Sequence, residues 1–76
     1  MGNDKRDLNT AKRCREVSSE CVRGAVLSLR MAQEAITDVE GKGFSELYSE
    51  LANVAQSMNE LAGRIDALQP TGIYKG

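Results

Sequence analysis

The stretch FSELYSELANVAQSMNELAGRIDAL, residues 44–68, decides the fold. Phe44, Leu47, Leu51, Val54, Met58, Leu61, Ile65 and Leu68 recur at alternating steps of three and four, the a and d positions of a left-handed helix pair. Tyr48, Ala55 and Ala62 repeat every seven residues beside that seam and widen it into a stripe broader than one neighbouring helix covers. The spacing predicts a helix over about 43–68.

The first neighbour lies upstream. Reading back from Val39, the apolar positions Ile36, Ala32, Leu29, Ala25 and Val22 keep the same spacing. Between the two patterns stands EGKG, residues 40–43, whose Gly41 can close one helix in a left-handed conformation and whose Gly43 frees the start of the next. The expectation is an all-α antiparallel helical hairpin with a first helix over about 9–39. Folding about the turn sets Val39 near Phe44, Ile36 near Leu47, Ala32 near Leu51, Leu29 near Val54, Ala25 near Met58 and Val22 near Leu61. The same register then brings Ser18 to Ile65 and Arg15 to Leu68, a poor apolar match. A shift of phase through Cys21, Val17 and Cys14 restores apolar partners as a stutter, and the alternative is a break at Ser18–Ser19. Gly24 and Gly63 each cost about 1 kcal/mol in a helix interior relative to alanine, which implies close backbone approach, such as the crossing of a second hairpin.

Seventy-six residues make one domain, 1–76, with residues 1–8 as an N-terminal extension and 69–76 as a C-terminal tail. A chain this short buries only about 60% of its unfolded surface and needs help from disulfides, a metal or oligomerisation. With two cysteines and no histidine, oligomerisation is the favoured aid. Two hairpins joined as a dimeric four-helix bundle remove the wet side of each stripe. The self-association surface is then Val22, Ala25, Leu29, Ala32 and Ile36 on the first helix. On the second it is Leu47, Tyr48, Leu51, Val54, Ala55, Met58, Leu61, Ala62, Ile65 and Leu68. An unidentified protein partner is the other candidate occupant.

The formal charge of −1 excludes bulk attraction to nucleic acid or an anionic membrane. Charge is nevertheless divided. Residues 1–30 hold seven Lys and Arg against four Asp and Glu, and residues 31–76 hold three against seven. No apolar run approaches the roughly 18 residues of a membrane span, and no apolar leader follows the charged start, so a cytoplasmic protein is expected.

Chemistry has little to work with. There is no histidine, no glycine-rich phosphate loop and no nucleophile beside a base, so neither catalytic residues, a cofactor nor a metal site is expected. Cys14 and Cys21, seven apart, lie about 10.5 Å apart on one helix, beyond disulfide reach. They read first as small buried hydrophobes and second as intermolecular or redox-sensing thiols. The basic segment KRDLNTAKRCR, residues 5–15, lacks interleaved aromatics for stacking on bases, which makes nucleic acid a weak candidate. Beyond Leu68, Pro70 cannot continue the helix, and Ile73 and Tyr74 offer an apolar surface with a hydroxyl for docking the tail.

The stretch VRGAVLSLRMAQEAI, residues 22–36, resembles the first helix of a family of short bacterial proteins of unknown function in endospore-forming Firmicutes. That family's pattern is close to Val-Lys-x-x-Leu-x-Ser-Leu-Lys-x-Ala-Gln, and Val22, Arg23, Ser28, Leu29, Arg30, Ala32 and Gln33 stand in step with it. Leu61, Arg64, Ile65, Leu68, Pro70, Tyr74, Lys75 and Gly76 resemble the family's ending, a Leu-x-x-Arg-Val-x-x-Leu helix followed by Pro-x-Tyr-Lys-Gly. The likeness covers residues 20–76. Pro70 departs from it by standing four residues before Tyr74 instead of two, and residues 1–19 extend beyond it. The resemblance implies a helical hairpin with a structural or accessory role in sporulation or the spore, and it brings no substrate or cofactor. Two other classes compete. One is a dimeric hairpin nucleic-acid regulator similar to the plasmid copy-number proteins. The other is a small secreted helical-hairpin protein, to whose Trp-x-Gly turn GKGFSELYSEL, residues 41–51, bears a faint likeness without the Trp.

Overall fold

A computed structural model describes residues 4–73, with side chains from residue 7 onward. Two helices, α1 (Asp4–Ile36) and α2 (Phe44–Ala67), pack antiparallel as a hairpin measuring 62 × 20 × 15 Å. The all-α hairpin is therefore as the periodicity requires. Its first helix starts and stops earlier than the apolar pattern indicates. Residues 4–8, expected as an extension, form the first turn of α1, and Thr37 ends it by bonding its hydroxyl back to the Gln33 carbonyl at 2.9 Å. Val39 lies outside the helix, its N–H donating to the Ile36 carbonyl in the turn.

The turn depends on two glycines. Gly41 and Gly43 have φ of 154° and 91°, and Gly43 is the N-cap of α2, with its carbonyl accepting from Leu47 N–H at 3.0 Å. A Cβ on Gly41 would stand 3.0 Å from the Phe44 ring, so that glycine also makes room for the first aromatic of α2.

The helices meet along small residues. Ala55 and Ala62 are 0% exposed, and Val26 and Ser19 are the buried positions in the middle of α1. No large side chain is fully buried among the described residues. The α2 seam therefore runs through Phe44, Tyr48, Leu51, Ala55, Met58, Ala62 and Ile65, along the edge of the stripe that holds the alanines. Leu47, Val54 and Leu61, expected opposite Ile36, Leu29 and Val22, are instead 44%, 47% and 43% exposed. Alanine at the contact lets the helix axes close together, and the longer side chains are pushed to one flank.

Helix one does not break at Ser18–Ser19, and its phase shift takes the opposite direction from the one that would save apolar partners. The seam passes through Val22, Ser19, Arg15, Ala11 and Leu8, with steps of three, four, four and three, and leaves Cys14, Val17 and Cys21 exposed. The physical reason is at the end of α2. Arg15 reaches the Leu68 carbonyl at 2.8 Å, where the last turn of a helix has unsatisfied acceptors and the negative end of its dipole. The level of the register is as expected; the match it makes there is polar.

Gly24 and Gly63 have no neighbour within 4 Å of a built Cβ, so the hairpin itself contains no close approach at either. Gly63→Ala should therefore raise stability by about 0.5–1 kcal/mol through helix propensity alone. Gly43→Ala should lower it by about 1–2 kcal/mol, because φ of 91° is strained for any residue with a Cβ. Urea midpoints of the two variants should move in opposite directions.

Candidate functional site

At 100° per residue, the charged side chains of α1 from Lys12 to Glu34, Arg15 excepted, fall in one arc about 100° wide. On that side the two helices are tied together by Arg23, which donates to the Asp66 carboxylate. Ser19 donates to the same carboxylate from its buried position, and these hydrogen bonds, that of Ser19 first, hold the Asp66 pKa below its ordinary value. A second polar tie sits within the seam, where the buried Gln33 amide donates to the Tyr48 carbonyl at 3.3 Å.

The opposite side of the hairpin carries the candidate site. The α2 row Leu47, Val54, Leu61 and Leu68 stands there, exposed from 43% to 63%, with half-buried Met58 and Ile65 at its base. Beside it α1 presents Cys14, Ser18, Cys21, Ala25, Ser28 and Ala32, a low row with no charge. Geometry confirms that these rows share a side: Cys14, Ser18, Ile65, Leu68 and Pro70, with Arg15 and Gln69, line one mainly apolar groove between the helices. Between the level of Asp7 at one end and Glu50 at the other, the charge that borders this face is Arg15, whose guanidinium is engaged at the Leu68 carbonyl. The hairpin has an ion-paired side, on which Leu27 and Met31 are also exposed, and a side dominated by apolar and small residues.

The expected surface is thus divided in two. Leu47, Val54, Leu61 and Leu68 are available on it, Tyr48 lies exposed toward the seam, and Val22, Ala25, Leu29, Ala32, Ile36, Leu51, Met58 and Ile65 are half-buried. Ala55 and Ala62 are consumed inside the hairpin. Cys14 and Cys21 are exposed free thiols, which corrects their reading as buried hydrophobes and leaves both on the apolar face. Periodicity cannot detect such a face on α1, because its signal there is only the absence of charge among small residues. In the tail, Pro70 is half-buried against the groove and Ile73 is exposed, while Tyr74 falls outside the described residues. Ala11, past the level where α2 ends, is buried.

Among the described residues no group of three or more acidic, Cys or His side chains is placed to hold a metal, and no helix is long and apolar enough to cross a membrane.

Because its carboxyl pKa is lowered on folding, Asp66 stabilises the hairpin fully above its ordinary value of 3.8 and loses that contribution as pH falls through the folded value. Urea midpoints measured from pH 5 down to pH 2 should fall less steeply in Asp66→Asn than in the parent. No protein-family model matches the chain, and no curated protein or solved structure matches it either.

Proposed function

We propose that the protein is a non-enzymatic helical hairpin that self-associates through its uncharged face and acts by protein contacts. The observation that carries this reading is surface that one hairpin leaves uncovered. The chain exposes 6094 Å², about a third more than the roughly 4,600 Å² of a compact monomer of its mass. Its radius of gyration of 17.9 Å compares with about 11 Å for a globule of this length. Part of it is a face whose large side chains Leu47, Val54, Leu61 and Leu68 stand at regular heptad intervals, the pattern that a further helix layer covers, while Leu27 and Met31 are exposed on the charged side of α1.

The resemblance to sporulation-associated hairpins supplies the setting, an accessory role in spore formation carried out in the cytoplasm or the spore. The nucleic-acid reading is weaker on this geometry. Arg15 and Arg23 are engaged with the Leu68 carbonyl and Asp66, and Arg13 lies 3.5 Å from Glu16, so three of the basic residues of the N-terminal half are committed within the chain.

Light scattering on a sizing column should give twice the chain mass with and without reductant. Val54→Glu, which places a carboxylate in the middle of the face, should weaken association at least tenfold, whereas Gln56→Glu on the outer side of α2 should leave the mass unchanged. A monomer at all concentrations would overturn the reading. A dimer that disappears on reduction would replace it with a disulfide link through Cys14 or Cys21.

A further inference from the structure

We infer that the second copy lies with its α1 antiparallel along α2 of the first, about a two-fold axis parallel to the helices. This rests on the self-association proposed above and specifies its geometry. Two observations select it, and the area of the face allows it.

The uncharged face has a tall half and a low half. Leu47, Val54, Leu61 and Leu68 rise from α2, while Ser18, Cys21, Ala25, Ser28 and Ala32 lie low on α1. A two-fold axis parallel to the helices sets tall against low on both sides and closes the layer evenly. An axis perpendicular to them sets Leu and Val rows against each other on one side and leaves a wedge between small residues on the other.

Charge makes the same selection. Helix α1 carries seven Lys and Arg against five Asp and Glu, and α2 carries one against four. The inferred arrangement places unlike helices together, and the perpendicular axis places like beside like. The area is also sufficient. Twenty-four residues of α2 span about 36 Å, and with a width of 20 Å the face covers about 700 Å² per copy, close to the roughly 800 Å² per partner of a stable interface.

The arrangement fixes the level of every contact, because a parallel two-fold axis permits no sliding along the helices. Arg15 at Leu68 and Gln33 at Tyr48 define the level within one hairpin. Cys21 of one copy then faces Leu61 of the second, with Cα atoms about 5 Å apart for axes about 10 Å apart, inside disulfide range. Within one chain the same two positions point off the face side by side, about 10 Å apart, beyond that range.

The test is oxidation of C14S/L61C, followed by non-reducing mass measurement and peptide mapping. The expected product is a covalent dimer linked between Cys21 and position 61, with the reduced variant still dimeric by light scattering. A second variant, S28C/V54C with both native cysteines changed to serine, covers the case in which loss of Leu61 prevents folding. Here the inferred arrangement gives a 28-to-54 linkage between copies, and the perpendicular axis allows only like-to-like linkage, 54-to-54 or 28-to-28. A dimer by light scattering that links 54-to-54 or 28-to-28, or forms neither expected linkage, overturns the inferred geometry while leaving self-association standing. A monomeric parent protein overturns both.

Discussion

The closeness of the two helices at Ala55 and Ala62 governs the rest of the molecule. With no side chain beyond Cβ at either level, α2 rests against α1 on its narrow edge, and the Leu and Val rows cannot enter the seam. They are displaced to one flank, and the opposite flank is left to Asp66, Arg23 and Ser19. A two-layered object results, in which one side is bound together by ions and hydrogen bonds and the other is an open apolar surface.

Polar residues in the seam fit this arrangement. Ser19, Gln33 and Arg15 would be poor choices in a core filled by large hydrophobes, where each would need a partner out of water. Here each finds one on α2, at Asp66, at the Tyr48 carbonyl and at the Leu68 carbonyl. Such ties contribute little net energy, but they fix register, because a slip of one turn would separate all three pairs. Alanines set the distance and polar ties set the level.

The thin core has a functional corollary. A hairpin with no large side chain fully buried among the described residues draws little from burial of apolar surface, the main favourable contribution to folding. In the association proposed above, folding and assembly are coupled, and the exposed thiols of Cys14 and Cys21 lie on the face that the second copy would cover.

Much of this was legible in the residues alone. The alternating steps from Phe44 to Leu68, the same steps back from Val39 to Val22, and Gly41 and Gly43 between them determine two antiparallel helices and their level, because helical spacing is local and glycine's freedom at positive φ is intrinsic. The width of the stripe likewise implied apolar side chains beyond those one neighbouring helix covers, and Leu47, Val54 and Leu61 stand exposed there. What only the tertiary structure decided is which edge of the stripe faces inward and which way α1 shifts its phase. Periodicity ranks residues by apolarity and so places Leu47, Val54 and Leu61 in the seam and Cys14, Val17 and Cys21 along its extension. Packing ranks them by how near two backbones come, and it selects Ala55, Ala62 and Ser19 instead. The Arg15 contact was invisible for the same reason: a lone arginine in an apolar pattern reads as a mismatch until the end of the other helix is seen to stand beside it.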